Sequence, residues 1–243
     1  MAITSAARQA ADALGEEILG YEGDEEEWPL GSEEQLMEAL GIGRPTLRQA
    51  ARLLEQQQLL VVRRGVRGGL FGRRPTDEGV TANARVFLRA QHTTFAHLLA
   101  AELILGPACA GLAAKNPDEA ARRGLLAFYD NGWAAGGEVP VRRFMELSTA
   151  FQREIGRLSE SPVLHLYVGV LMDLASHAGG ISDVYEDEER RRATVIRHIG
   201  VAEAIAAGRE SLAVRRMTAH LQGIIAWSEE RALRSTLEPS RHT

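Results

Sequence analysis

Three arginines spaced four residues apart are the first residues here whose pattern suggests chemistry. Arg44, Arg48 and Arg52 follow a Gly-Ile-Gly turn. On a helix of 3.6 residues per turn, this spacing displaces successive side chains by only about 40°, so the guanidinium groups form one stripe. Such a stripe can bind phosphates and pair with guanine bases, although a solvated arginine face has the same pattern.

The basic charge is concentrated around this stripe. The 243 residues carry a formal net charge of −5. Residues 1–40 contain one basic and eleven acidic side chains, whereas residues 41–76 contain eight arginines and one glutamate. Because salt screens charges over about 10 Å, local charge decides whether phosphates are attracted. The segment 41–76 is therefore a candidate nucleic-acid surface in an acidic chain.

Local signals place the arginine stripe in a winged helix-turn-helix. Ser32, followed by Gln35 three residues later, predicts a helix start, and Gly41 ends that helix. Pro45 suits the first turn of the next helix, because its missing N–H would be unpaired there. We predict helices at 4–20 and 33–40, a third from 44, and strands at 59–64 and 69–71 around a glycine-rich turn. The helix–glycine turn–helix pattern alone also occurs in proteins that do not bind DNA.

The rest of the chain is predicted to be helical. Alanine and leucine recur there at three- and four-residue spacing, with breaks at glycine, asparagine or proline. We predict helices at 81–90, 94–114, 117–134, 140–157, 162–178, 186–207 and 210–234. The predicted fold is mainly α: a winged helix-turn-helix at 1–76, a linker at 77–80, an all-helical bundle at 81–235 and a tail at 236–243.

The composition excludes several classes of protein. Hydrophobic residues make up 45% and charged residues 25%, which is typical of a globular chain and not of a disordered one. No run approaches 18 consecutive apolar residues, and the N-terminus lacks the pattern of a signal peptide. The single cysteine, Cys109, cannot form an internal disulfide. These features predict a cytoplasmic protein that is not associated with a membrane.

One set of N-terminal residues resembles a known family. The set comprises Leu30-Gly31-Ser32-Glu33, Leu40-Gly41-Ile42-Gly43-Arg44-Pro45-Thr46-Leu47-Arg48-Gln49-Ala50, Leu53-Leu54-Glu55, Leu59-Leu60 and Arg63-Arg64-Gly65. It resembles the winged-helix domain of GntR-type bacterial transcription regulators. The helical part resembles the FCD effector-binding domain of the fatty-acid-regulator branch of that family.

The resemblance implies how double-stranded DNA would be bound. By position, Arg44, Thr46 and Arg48 match base and phosphate contacts at the start of the recognition helix. Ser32 matches a position where a helix N-terminus meets a phosphate. The wing, defined by Arg64, Gly65 and Arg67, would lie near the minor groove. Gly31, Gly43 and Glu34 depart from the family pattern, and Glu34 is expected to remove one phosphate contact.

The resemblance also implies an effector site. Many members of the branch bind a divalent metal through an aspartate, a histidine four residues later, and two histidines 22 residues apart. His198 and His220 match the second pair, but Ser148 and Gln152 stand in place of the first. Serine and glutamine are poor ligands, so we expect no cofactor and a polar cavity lined by these four residues. A divalent metal such as zinc on His198 and His220 is the weaker alternative.

Glu102 is a further departure in the helical part. Relatives commonly have an arginine there, which faces the effector carboxylate. A glutamate would repel a carboxylate, so we expect a neutral or largely apolar effector, with Glu102 at the margin of the cavity. The alternative is a Glu102 that faces solvent or pairs with an arginine.

The function implied is a ligand-responsive, DNA-binding transcription regulator and not an enzyme. We expect a repressor that binds a palindromic operator as a homodimer, since a single winged helix covers only a short half-site. Two alternatives stay open: a metal-dependent or hydrolytic all-α enzyme that uses the His198/His220 pocket, and an architectural or partner-binding helical protein. No catalytic motif favours the enzyme.

Overall fold

The fold consists of two units whose boundary lies between Val80 and Thr81. It was obtained as a computed structural model, which describes residues 4–65, 68–129, 133, 138, 140–177 and 184–237. The prediction of a mainly α chain with an N-terminal winged helix-turn-helix and a C-terminal helical bundle is confirmed.

The N-terminal unit combines three helices with a small antiparallel sheet. The helices are α1 (Ser5–Leu19), α2 (Glu33–Leu40) and α3 (Arg44–Gln56). The strands are β1 (Glu27–Gly31), β2 (Leu60–Arg63) and β3 (Gly69–Arg73), in the order β1-β3-β2. The signals at the helix ends act as expected: Ser32 and Gln35 form a reciprocal capping box, and Gly41 ends α2 with a φ of 63°.

Strand β1 corrects the prediction of a two-stranded hairpin. Its sequence contains Pro29 and follows an acidic run, so it lacks the alternation expected of a strand. An edge strand tolerates proline because one side of its backbone needs no partner. Trp28 holds β1 in place: it is buried, stacks on Tyr21 with ring centroids 4.0 Å apart, and lies opposite Gly72 of β3.

The helical unit begins within α4 (Asp77–Ala90), which spans the boundary, and continues with α5 (Phe95–Lys115), α6 (Glu119–Gly124), a 3-10 turn (Leu125–Tyr129), α7 (Val141–Leu158), α8 (Pro162–His177), α9 (Glu188–Ala206) and α10 (Glu210–Leu237). Helix α5 packs against α7, α8, α9 and α10. The side chains of Phe144, Phe151, Ile155, Met217 and Leu221 are almost fully buried between these helices.

Two boundaries in this unit differ from the prediction. Residues 77–80, expected as a linker, form the first turn of α4. Gly79 lies inside that turn, and its cost of about 1 kcal/mol relative to alanine is too small to break a helix. Within the expected helix 117–134, residues 119–129 instead form the short α6 followed by the 3-10 turn, which buries Leu125 and Tyr129, while residues 130–132 and 134 lie outside the described residues. The Asp118 side chain caps α6 and fixes its start.

Helix α5 is long and apolar. Among the residues that the structure describes, it is the one helix with the length and mean hydropathy of a membrane span, with 21 residues and a hydropathy of 1.6. It packs against four other helices, and Cys109, Ala110 and Ala113 are buried there. Its position in the core of the helical unit accounts for this composition.

Candidate functional site

The first candidate site is the exposed face of α3. Arg44, Arg48 and Arg52 are all exposed, and the side chains of Arg44 and Arg48 keep 51% and 65% of their surface accessible. On the opposite face, Leu47 and Leu54 are buried. The arginine stripe therefore lies on the surface, as the spacing predicted.

Two glutamates at the start of α2 contact this face. The Nε atom of Arg44 lies 3.2 Å from Oε2 of Glu33, and an Nη atom of Arg44 donates to Oε1 of Glu34 at 3.0 Å. Arg48 Nε lies 4.0 Å from the other oxygen of Glu33. Exposed pairs of this kind stabilise a protein by about 0–1 kcal/mol, so phosphates can displace them. Sequence reasoning singled out Glu34 but missed Glu33, because the contact depends on how α2 crosses α3.

Ser32 and Thr46 occupy more enclosed positions. The Ser32 hydroxyl accepts from Gln35 N at 3.2 Å, and Ser32 N donates to Gln35 Oε1 at 2.9 Å. Both groups therefore already serve the cap of α2. Thr46 is half-buried in the first turn of α3, where its N–H donates to the carbonyl of Gly43.

The wing is only partly described. Arg64 and Gly65 are exposed at the hairpin tip, where Gly65 has a φ of 108° that favours glycine. Arg67 lies outside the described residues. In the strand below, Arg63 pairs with Glu27 and stacks over the ring of Phe71 at 4.2 Å.

The second candidate site is a cavity in the helical unit. Its volume is about 60 Å³, and its walls come mainly from α5, α7, α8 and α10. Most of its lining is apolar, including Phe95, Leu98, Leu99, Leu171 and Ile224. The polar residues in the wall are Glu102, Ser148, Thr149, Gln152, Ser176, Tyr185 and His220.

Four of the five residues predicted for the effector site line this cavity, namely Glu102, Ser148, Gln152 and His220. His198 does not line it. It lies behind His220, with the two Nε2 atoms 3.0 Å apart, and it is fully buried. Its Nδ1 lies 2.5 Å from the hydroxyl of Tyr129. Sequence reasoning missed Tyr129, since only the 3-10 turn brings it to His198.

His198 and His220 are both neutral. Burial, reinforced by His220, lowers the pKa of His198 well below its ordinary value. Burial and then the charge of Arg197 lower the pKa of His220 to about 3. The pKa of Tyr129 is raised well above 10.0, mainly by burial, so the phenol keeps its proton.

One arrangement of the protons that makes both hydrogen bonds has the Tyr129 hydroxyl donating to Nδ1 of His198, whose Nε2–H then donates to Nε2 of His220. In this arrangement the remaining proton lies on Nδ1 of His220, a buried atom without a hydrogen-bond partner in the described part of the protein.

The donor set does not fit a tightly held metal ion. His198 and His220 offer two neutral imidazoles, but the nearby amide of Gln152 faces the sulfur of Met217 at 3.9 Å. Within the described ranges, no group of three or more His, Cys, Asp or Glu side chains is placed to hold a metal. Stable sites usually supply three or four such donors.

Glu102 is the most unusual residue of the cavity. Its side chain is 3% exposed, and neither carboxyl oxygen has a hydrogen-bond partner in the described part of the chain. Burial raises the pKa of Glu102 to about 7. A Cβ added at Gly106 would lie 3.1 Å from Oε1 of Glu102, so the glycine leaves room for the carboxyl group. Glu102 therefore neither faces solvent nor pairs with a described arginine.

Comparisons with known proteins agree with this architecture. The family model described as bacterial regulatory proteins, gntR family, matches residues 6–68, and the FCD domain model matches residues 97–223, just over half of the chain. No curated protein matches the chain.

Several solved structures match most of the chain, and the first of them shares its fold. The GntR protein of Streptococcus agalactiae has a TM-score of 0.67 at 21% identity, over 93% of this chain and 99% of that one. McbR/YncC of E. coli has a TM-score of 0.44 at 16% identity, over 94% and 99% of the two chains. A GntR regulator from Rhodococcus sp. RHA1 has a TM-score of 0.43 at 19% identity, over 93% and 99%. From the two family models, the chain belongs to the FCD branch of the GntR family of DNA-binding bacterial transcription regulators.

Proposed function

We propose that this regulator is a repressor that binds a palindromic operator as a homodimer and responds to a small molecule in its helical unit. The observation that carries the response to a small molecule is the cavity lined by Glu102, Ser148, Gln152 and His220. A protein interior seldom leaves buried polar groups without partners, so the carboxyl oxygens of Glu102 and Nδ1 of His220, which have none in the described residues, favour a ligand that satisfies them. We further propose that the protein acts in the cytoplasm.

In the proposed DNA complex, α3 is the recognition helix. Its first five residues include Arg44, Thr46 and Arg48, and helices in the major groove read bases with their N-terminal residues. The exposed guanidinium of Arg48 suits a guanine edge or a phosphate. Arg64, Gly65 and Arg67 are proposed to reach the minor groove.

The homodimer is supported by the short reach of one winged helix and by exposed apolar side chains. Phe87 and Val86 of α4 keep 63% and 71% of their surface accessible. Large exposed apolar side chains on one helix suit a second protein surface, and a two-fold dimer matches a palindrome.

The effector is proposed to be small, largely apolar and not a carboxylate. Most of the cavity wall is apolar, and Glu102 would repel a second carboxylate. We also propose that no resident metal takes part, because Ser148 and Gln152 supply no strong ligand beside the two imidazoles.

We propose no catalytic activity. Burial raises the pKa of the Cys109 thiol to about 11, with a further contribution from Glu102, so the thiol is a poor nucleophile. His198 and His220 bond to each other and are neutral, which leaves neither poised beside a nucleophile.

The DNA part of the proposal is tested with an operator selected from a pool of random duplexes. Replacing Arg48 by alanine is expected to weaken operator binding by about 1–3 kcal/mol, the range for one good base contact. Arg142→Ala is the matched control, because Arg142 is an exposed arginine of the helical unit with a side chain 93% accessible. Fluorescence anisotropy gives the affinities, and light scattering of the complex gives the stoichiometry. Equal affinity for the operator and for random duplex, or a monomer on the operator, would contradict the proposal.

A further inference from the structure

We propose that the cavity of the helical unit binds a small alkylammonium ion, whose protonated amine pairs with the carboxylate of Glu102. This inference rests on the proposed effector role of the cavity and names the chemical class of the ligand. It replaces the expected neutral head group by a cationic one and keeps the apolar body.

The position of Glu102 carries the inference. The side chain is 3% exposed, it lines the cavity, and both carboxyl oxygens lack a partner in the described residues. A buried carboxylate without a partner is strongly destabilising, whereas one that is paired and hydrogen-bonded is not. A primary ammonium group offers three N–H donors and one positive charge. It can therefore donate hydrogen bonds to both unpaired carboxyl oxygens and balance their negative charge.

None of the described side chains around Glu102 pairs with it as a cation, so a positive charge must come from the ligand. His220, in the same wall, is neutral, and Ser148 and Gln152 are uncharged. Burial is the cause of the raised pKa of Glu102, and no described cation offsets it. A ligand carboxylate would face the same carboxyl group and be repelled.

The size and lining of the cavity limit the rest of the ligand. A volume of about 60 Å³ corresponds to about four to six water-sized positions. Leu98, Leu99 and Leu171 line it, so the atoms beyond the amine must be apolar. A linear aliphatic amine of about four to six heavy atoms meets both conditions.

Gly106 supplies an independent way to disturb the site. It lies one turn after Glu102 on α5, and an added Cβ would come within 3.1 Å of both Glu102 Oε1 and Leu221. Alanine at this position would therefore displace the carboxyl group without removing its charge.

The experiment uses the full chain and three matched ligand series, the n-alkylamines from propylamine to hexylamine with the n-alkanols and n-alkanoates of the same lengths. Binding is measured by calorimetry and ligand-observed NMR, and affinity for the selected operator is measured in parallel. We expect the best amine to bind about tenfold or more tightly than its alkanol, and the alkanoate to bind least.

The variants assign the preference to one side chain. Glu102→Gln is expected to weaken amine binding by about thirtyfold or more and to leave alkanol binding within about twofold. Glu203→Gln, an exposed glutamate on α9, is the control and is expected to change neither. Gly106→Ala is expected to weaken amine binding as well, and it serves as the test if Glu102→Gln does not fold.

The outcomes separate the inference from the proposed function. Amines that bind no better than alkanols, or that keep their affinity in Glu102→Gln and Gly106→Ala, would overturn the inference even if another ligand released the operator. Amines that bind through Glu102 without changing operator affinity would support the inference and overturn the effector role.

Discussion

Replacing Glu102 by glutamine should stabilise the unliganded protein at neutral and alkaline pH. Burial raises the pKa of Glu102 from 4.5 to about 7 in the folded state. Between these two values the folded protein holds a proton that the unfolded chain has lost. The stability that this proton contributes is complete below 4.5 and is lost as the pH rises through 7.

The size of this effect follows from the pKa difference. At about 1.36 kcal/mol for each pKa unit, the ionised form costs about 3 kcal/mol above pH 7. Glutamine keeps the shape of the side chain and cannot ionise. The difference in unfolding free energy between the variant and the unchanged protein should therefore grow by about 3 kcal/mol from pH 4.5 to pH 8.

The neighbours of Glu102 do not obscure this difference. The pKa of Cys109 is about 11 and that of Tyr185 about 12, both raised mainly by burial, so neither group titrates in this interval. The pKa of His220 is about 3, and its contribution cancels when the variant is compared with the unchanged protein at each pH. Ser148 and Gln152 of α7 and Ser176 of α8 face the cavity without ionising.

Differential scanning calorimetry across this pH range measures the effect. About 3 kcal/mol corresponds to a rise of about 6–12 °C in the Tm of a unit of this size. Glu203→Gln is again the control, since a surface substitution usually changes stability by about 0.5 kcal/mol or less. If the two variants follow the same pH profile, Glu102 is paired or hydrated in solution, and the reasoning from its isolation fails.

Three further outcomes are expected. Replacing Glu33 and Glu34 together by glutamine should raise affinity for random duplex about three- to tenfold in an anisotropy titration, because it frees Arg44 and removes two charges that repel phosphate. Unchanged affinity would mean that the ion pairs of Glu33 and Glu34 with Arg44 do not compete with DNA. Acidification below pH 6.5 should destabilise the helical unit by up to about 1.4 kcal/mol per pH unit for each of His198 and His220, because the pKa values of both are depressed in the folded state. His220→Gln should therefore reduce the slope of unfolding free energy against pH. An unaltered slope would show that His220 is charged in the folded protein. Protein purified without chelator should contain far less than one equivalent of metal, and zinc titration should give no tight, stoichiometric binding, whereas one zinc lost in His198→Ala would contradict the donor-set argument.

Features that depend on local sequence could be predicted well. The Ser32–Gln35 capping box and the glycine that ends α2 need only a few neighbouring residues, and both occur where expected. The arginine stripe needs only the helical period. Strand β1 was missed, because its conformation depends on Trp28 packing near Gly72 and not on an alternating pattern.

The cavity lining could likewise be predicted only in part. The resemblance placed Glu102 and His220 in the cavity wall, but the sequence could not show that His198 lies behind His220 and outside the wall. The position of His198 depends on Tyr129, which reaches His198 because the chain tightens into a 3-10 turn after Gly124. Nor could spacing show that Glu33 pairs with Arg44 across the turn between α2 and α3.

The contacts of Glu33 and Glu34 with Arg44 also bear on how many ions DNA binding releases. Each phosphate that a free arginine neutralises releases counterions from the duplex, and the salt dependence of affinity is commonly used to count such phosphates. Here, a phosphate that captures Arg44 sets two carboxylates free, and these attract cations of their own. The cations taken up by these carboxylates offset part of the counterion release from the DNA. The salt dependence of operator binding would therefore undercount the phosphates that the protein contacts.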